Sequence, residues 1–360
     1  MLKALCLSFC LGLSLVANAQ ATSVVFLNPG NADETFWVSY SQFMQRAAQS
    51  LGMQLRIEYS ERQPQRALRQ ARQVLEGPQR PDYLVLVNEQ YVAPEIIRLS
   101  RGSGVKLFLV NNGLTADQAR QVHEHPDRYP PILGTLAGND EEAGYRMLKA
   151  LVAQLPAGAL ERGIDLLAFS GLKHTPVAQL REQGMRRALA ETPGVHLRQM
   201  VYGAWSRQRA YEQAQQLRAR YPRTQLVWSA NDEMAFGAMQ AFEEAGRVPG
   251  KDVLFSAVNS SPHALQARID GRLSVLMGGH FSLGGWAMVL LHDDAQGLPI
   301  HHLVSAAQPA PVLQLIDAAK ARRWLKLEQR ADYGLDFKRF SAVGKAADFQ
   351  YPFLQGPVNY

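Results

Sequence analysis

The stretch Gln225 to Gly246, QLVWSANDEMAFGAMQAFEEAG, decides the fold. Leu226-Val227-Trp228 is an apolar run bounded by polar residues, the pattern of a buried strand. Asn231 then supplies a helix N-cap, and Asp232 and Glu233 fall in the first turn, where negative charge suits the helix dipole. Ala235, Ala238 or Met239, Phe242 and Ala245 recur at helical spacing, and Gly246 stops the helix. The unit is strand, polar turn, helix. Its polar turn lies at the carboxyl end of the strand, where open α/β sheets bind ligands.

The rest of the chain repeats this unit. Strands are expected over Val24–Leu27, Met53–Tyr59, Tyr83–Val87, Val105–Val110 and Pro131–Ala137. A second series follows over Ile164–Phe169, Val195–Tyr202, Val253–Val258 and Leu273–Met277. Amphipathic helices alternate with them, among them Thr35–Leu51, Pro64–Glu76, Glu141–Gln154, Pro176–Ala190, Arg207–Arg220 and Leu283–Asp293. Such alternation means βαβ units and parallel sheets. So many strands without an eightfold closure pattern favour two doubly wound α/β lobes over a single βα barrel. His301–Ala306 reads as a further strand and Leu313–Leu327 as a helix. Beyond them Tyr333, Phe337, Phe340, Phe349, Tyr351 and Phe353 form an aromatic tail expected to pack onto the body.

The first nineteen residues read as an export signal rather than part of the fold. Lys3 precedes the apolar run Leu5–Val16, and Ala17-Asn18-Ala19 is a small-residue cleavage site. A lipoprotein would carry a cysteine at that point, and Cys10 stands too far upstream. Both cysteines of the chain, Cys6 and Cys10, lie within the signal, so the mature protein depends on apolar burial. No later stretch approaches the roughly eighteen apolar residues of a membrane span.

The formal net charge of +6 comes from arginines scattered over helices, such as Arg62, Arg66, Arg69 and Arg72, which read as solvated faces. No basic block interleaves with aromatics, so a nucleic-acid partner is not expected. Catalytic signatures are also missing: no GxSxG elbow, no GxGxxG after the first strand, no phosphate-loop lysine and no HExxH. His123 and His125 beside Glu124, in what reads as a loop, and His301-His302 have poor metal spacing, and neither a metal nor a cofactor is expected. An exported α/β enzyme stays open only as the minor alternative.

Asparagine recurs at strand ends: Asn28, Asn88, Asn111, Asn139, Asn231 and Asn259. Each offers donors and an acceptor on a short neutral arm, suited to hydroxyl groups. Singly, each is equally a turn former or cap; as a set they outline a ligand cleft. Phe36-Trp37 and Trp205 open helices after strands, one group in each half, and could stack on a sugar ring or a cation. Arg181 could fork onto a carboxylate or hydroxyl pair, or lie on the surface, and His280 could donate to ligand or cap its helix.

SANDEMAFGAMQAFEEAG resembles the signature strand–turn–helix of the ribose-binding type of periplasmic solute-binding protein, the group that includes the autoinducer-2 receptor. Glu34 to Ser39, Gly138-Asn139-Asp140, Thr175 to Met185 and Val258-Asn259 resemble further motifs of that family, over about Ser23 to Ala306. The resemblance implies a type I fold: two lobes joined by a three-strand hinge, with a small polar ligand clamped between them. It implies lobes of 20–153 plus 280–308 and 154–279 plus 309–330, followed by a tail of 331–360. Carried over residue by residue, it places Glu34 at a hydroxyl-binding position, Phe36 and Trp37 on stacking aromatics, and Asn88 on a first-lobe polar contact. Trp205 and Asn231 fall on the second-lobe aromatic and asparagine. Asn139, with Asp140 beside it, and Asn259 stand where the sugar binders have aspartate. Arg181 stands two residues beyond the family arginine, and His280 one beyond the family glutamine.

The function so implied is that of a monomeric periplasmic protein that presents a sugar or sugar-like ligand to an inner-membrane ABC transporter. The alternative is the ligand-sensing subunit of a histidine-kinase receptor, suggested by the aromatic tail.

Overall fold

A computed structural model describes residues 21–358 except 306, 329, 331 and 332. The expected export signal, residues 1–19, lies outside the described residues. Two sheets make up the frame. The first carries β1 (Ser23–Asn28), β2 (Gln54–Tyr59), β3 (Tyr83–Leu86), β4 (Lys106–Asn111) and β5 (Gly134–Ala137), in the order β2-β1-β3-β4-β5 and parallel throughout. The second carries β6 (Ile164–Ser170), β7 (Val195–Tyr202), β8 (Thr224–Ser229), β9 (Leu254–Val258), β10 (Val275–Gly278) and β11 (Gln314–Leu315). Its order is β11-β10-β9-β8-β6-β7, with β11 alone antiparallel.

Helices fill the connections. They are α1 (Thr35–Ser50), α2 (Pro64–Glu76), α3 (Ala93–Leu99), α4 (Ala116–Glu124), α5 (Asp140–Val152) and α6 (Pro176–Ala190), then α7 (Arg207–Arg220), α8 (Asp232–Glu243), α9 (Pro262–Ile269), α10 (Leu283–Ala295), α11 (Ala318–Glu328) and the short α12 (Pro352–Gln355). Their faces follow the sequence. Pro64 opens α2, and Ala67, Ala71, Val74 and Leu75 form its buried stripe. In α8 the Asn231 side chain accepts from the Met234 N–H at 2.9 Å, the cap expected from sequence.

Four sequence expectations are corrected. Residues 116–124, left unassigned, form α4. It buries no residue and lays only half-buried Val122 against the core, so no buried stripe outlines it; its clearest mark is the capping box of Thr115 and Gln118. His123 and Glu124 therefore sit on a helix rather than in a loop. His301–His302–Leu303 is a turn, and the Val304 carbonyl merely accepts from the Thr135 N–H at the sheet margin, so the described residues 301–305 form no strand. Gln314–Leu315 pairs with β10 before α11 begins, which splits the helix expected over Leu313–Leu327.

Last, α5 belongs with the second sheet, so that lobe begins before residue 154. It packs on α6, β9 and β10. A Cβ on Gly184 would lie 1.8 Å from the Glu141 carbonyl oxygen and one on Gly144 2.0 Å from that of Arg181, so only glycine allows α5 and α6 this approach.

The chain thus passes between the sheets at Gly138–Asn139, at Gly279–Ser282 and near Ala310–Leu313. These passages touch. Gly138 bridges to Ala310, and the Asn139 side chain both donates to the Leu313 carbonyl (3.2 Å) and accepts from its N–H (2.9 Å). The aromatic tail then returns to the first lobe. Phe337 packs edge-on to Phe43 of α1 at 5.2 Å, and Phe353 stacks on Trp286 of α10 at 4.8 Å and 7°. Buried Asp293 ties the tail down, accepting from the Ser341 hydroxyl, the Ala342 N–H and the Tyr351 hydroxyl.

Candidate functional site

The carboxyl ends of both sheets face one cavity that holds about 390 Å³ of empty space between the lobes. Eight of the eleven residues predicted from sequence line it; Asn88, Asn139 and Asp140 do not.

From the first lobe come Glu34, which precedes α1, and Phe36 and Trp37 in its first turn. Phe36 stacks on His280 at 4.5 Å and 21°, while Trp37 is 2% exposed and its indole N–H has no partner. From the second lobe come Arg181 on α6, Trp205 before α7, and Asn231 and Asn259 after β8 and β9. Trp205 has φ of 65°, strained for a side chain of this size, and its indole N–H is likewise unpartnered. Asn231 donates to the Trp205 carbonyl at 3.2 Å and so braces that turn. His280 sits on the second interlobe passage. Burial, and then the Arg181 charge, hold its imidazole well below its usual pKa, so it is neutral.

The charges in the wall are mutually engaged. Arg62 donates through Nε (3.1 Å) and Nη2 to Glu34, and through Nη1 to Glu89 at 2.9 Å. Burial raises the Glu89 pKa, and Arg62 opposes that shift. Arg181 donates Nε to Asp140 Oδ1 at 2.7 Å and Nη1 to the Ala230 carbonyl at 2.6 Å, and its Nη2 lies 2.7 Å from the same Asp140 oxygen as part of the ion pair. Asn259 donates to buried Asp232 at 2.6 Å, and Ser261 gives its hydroxyl to the other oxygen of that carboxylate. Asp232 is therefore more than a helix-dipole residue.

Three bonds cross the mouth directly. The Thr175 hydroxyl donates to Glu89 at 3.1 Å, the Val177 N–H to Asn112 Oδ1 at 2.9 Å, and Gln179 to the Tyr91 hydroxyl at 2.6 Å. The cleft is closed.

The remaining predicted residues serve structure. Asn88 is wholly buried, donates to Gly113 and Gln118, and accepts from the Ala93 N–H. Asn139 joins two hinge passages, and Asp140 lies behind Arg181 as its counter-ion. Sequence reasoning missed Arg62, Glu89, Asn112 and Val177 as lining residues, and left Asn111 among the strand-end asparagines without placing it in the site. Arg62 in particular is no solvated helix arginine: it precedes α2 with φ of 58° and turns its guanidinium inward. The Asn111-Asn112 pair after β4 was a readable signal. Among the described residues no group of three or more His, Cys, Asp or Glu could hold a metal ion, and no helix is long and apolar enough to cross a membrane.

Two parallel-sheet lobes closed on a polar, aromatic cavity define a solute-binding protein of the two-lobed type. The chain belongs to the periplasmic binding protein domain family, whose profile matches residues 24–298. It is 60% identical to a periplasmic sugar-binding protein from Pseudomonas fluorescens, with a TM-score of 0.81 over 92% of this chain and 98% of that one. It is 23% identical to the ribose import binding protein of Escherichia coli (strain K12), over 73% of this chain and 81% of the relative. The arabinose transporter binding protein from Shewanella sp. ANA-3, solved with L-arabinofuranose, shares the fold at 19% identity, with a TM-score of 0.70 over 91% of this chain and all of that one.

Proposed function

We propose that the protein captures a sugar in the periplasm by closing its two lobes on it and hands it to an inner-membrane ABC transporter. The observation that carries this reading is the closed interlobe cavity, whose stacking aromatics and amide side chains suit a ring bearing hydroxyls. The relatives named for sugars support it. Glu34, Phe36, Trp37, Arg181, Trp205, Asn231, Asn259 and His280 form the site in this reading, joined by Arg62, Glu89, Asn111 and Asn112. The lobes hinge at the three interlobe passages, and export uses a signal cleaved near Ala19.

The aromatic tail, which had suggested a signalling receptor, has a simpler account. Phe337 and Phe353 are fully buried in the first lobe and complete its core. Calorimetry against a panel of pentoses and hexoses, with mass spectrometry of whatever co-purifies, tests the proposal. A measurable dissociation constant for at least one sugar is expected; if none binds and no small molecule co-purifies, the reading is wrong.

A further inference from the structure

The chain crosses between the lobes once more after the three passages above. α11 packs on α9 of the second lobe, and by Phe337 the chain lies against Phe43 of the first. Tyr333 falls within this crossing. Its backbone is left-handed, with φ of 51°, a conformation costly for a tyrosine, and Gly334 continues the turn with φ of 75°. The ring is 7% exposed; it stacks on Phe281 at 4.8 Å and 30° and meets Phe43 edge-on at 5.9 Å. A strained backbone kept beneath a buried ring points to a role for the ring.

Phe281 belongs to the Gly279–Ser282 passage. Besides Tyr333 it touches Phe43 of the first lobe at 5.3 Å and Trp324 of α11, on the second lobe, at 6.2 Å, both edge-on. The lobes cannot turn about this passage without changing those contacts, because Phe43 travels with one lobe and Trp324 with the other. His280 precedes Phe281 in the same short helical turn, and its ring stacks on Phe36 in the ligand cavity. Tyr333 also lines a second, small cavity together with Phe36, Ser39, Asn259 and Ser261. Phe36 and Asn259, one from each lobe, line the ligand cavity too. Through these neighbours the tail reaches residues of the ligand site.

We propose that Tyr333 is a positioning residue of the ligand site: by holding Phe281 at the hinge it sets His280 against Phe36 and keeps the lobes near their closed arrangement. This rests on the closing-lobe reading above and adds an aromatic strap to its three passages. The tail then does more than complete the core. Its far end, at Phe353, anchors it, and its near end, at Tyr333, bears on the hinge.

Tyr333→Gly removes the ring and relieves the left-handed backbone, while Tyr333→Phe keeps the ring. Tyr333→Asn, which also tolerates that backbone, takes the place of the glycine variant should it not fold. The full mature chain is titrated with D-ribose, L-arabinose and D-galactose, below the unfolding range of each variant. Tyr333→Gly should weaken the best binder at least about fivefold, and Tyr333→Phe should stay within about twofold of wild type. In the ligand-free protein the His280 ring ¹H signals, set by the Phe36 stack, should move in Tyr333→Gly, and small-angle scattering should show a larger mean radius. Phe353→Ala loosens the core without touching the hinge and should leave the His280 signals and the radius where they are. A Tyr333→Gly protein that matches wild type in affinity, His280 signals and scattering overturns the proposal, as does a Tyr333→Phe protein that binds as weakly as the glycine variant. A Phe353→Ala protein whose His280 signals move as far as those of Tyr333→Gly reduces the effect to general loosening and overturns it too. If none of the three sugars binds wild type, the sugar reading is what fails, and the His280 signals and scattering still decide the role of Tyr333.

Discussion

Thr175→Val separates closure from folding. Thr175 stands at the N-cap of α6 yet makes no capping bond, because its hydroxyl is spent across the cleft on Glu89. Valine keeps the shape and removes only the hydroxyl. When the lobes part, water can satisfy both groups, so the lost bond belongs to the closed state. A hydrogen bond to a charged group contributes about 1.5–3 kcal/mol. Glu89 keeps Arg62 and Asn112 as partners, so the lower end applies, close to tenfold in the closure equilibrium. Ligand that binds only the closed form then shows an apparent Kd raised by about the same factor, mainly through faster release. Calorimetry gives the Kd, stopped-flow release gives the rate, and small-angle scattering of the ligand-free protein should show a more open mean shape. Thr175→Ser restores the hydroxyl and should restore affinity. If Thr175→Val binds within twofold of wild type and scatters identically, the cross-cleft bonds do not hold the closed state and this reasoning fails.

Three further outcomes follow from buried groups. Phe353→Ala should destabilise the protein by about 3–5 kcal/mol, seen in urea or thermal unfolding with little change in ligand affinity, since the ring is fully buried against Trp286 and far from the cleft. Asp140→Ala leaves the Arg181 charge buried and unpaired and should cost about 3–5 kcal/mol; the double change Asp140→Leu, Arg181→Met should recover much of it, and a double variant no better than the single one counts against the pairing. His280 supplies a pH test. Its folded pKa is depressed by burial and by Arg181, so the unfolded chain takes up a proton first, near pH ~6.5. The stability it contributes is complete above that pH and is lost as pH falls towards the folded value. His280→Leu should therefore flatten the loss of stability as pH falls from about 7.5 to 5.5; parallel pH profiles for variant and wild type would show that the imidazole is not held neutral.

Periodicity and capping made most of the fold legible. Pro64–Glu76, Pro176–Ala190 and Arg207–Arg220 could be bounded from sequence because an apolar stripe and a proline or polar start coincide there. Elements without a stripe were not. α4 buries nothing, and β11 is two residues long, set by its pairing with β10 rather than by any pattern of its own. In the site the aromatics and the second-lobe asparagines could be placed, since strand ends and helix starts fix where they point. Arg62 could not, because its side chain is turned by an unusual backbone angle that composition does not announce. Asn88 and Asn139 show the same limit from the other side. Strand-end asparagines serve loops and hinges as readily as ligands, and only three-dimensional partners separate the roles.

The departures from the sugar-binding pattern acquire a common cause once the charges are followed. The resemblance sets Glu34 at a hydroxyl-binding position, but its carboxylate holds Arg62. Asn259 replaces an aspartate, but Asp232 lies directly behind it and accepts its amide, so the acid is set back one layer rather than lost. Asn139 gives up the cleft altogether and fastens the hinge, while Asp140 turns inward to Arg181. Each ionised group near the site thus finds a partner within the protein, although Glu34, Arg62, Glu89 and Arg181 remain in the cavity wall beside its aromatics and amides. Pairing reduces what these charges lose when ligand displaces water from the cleft.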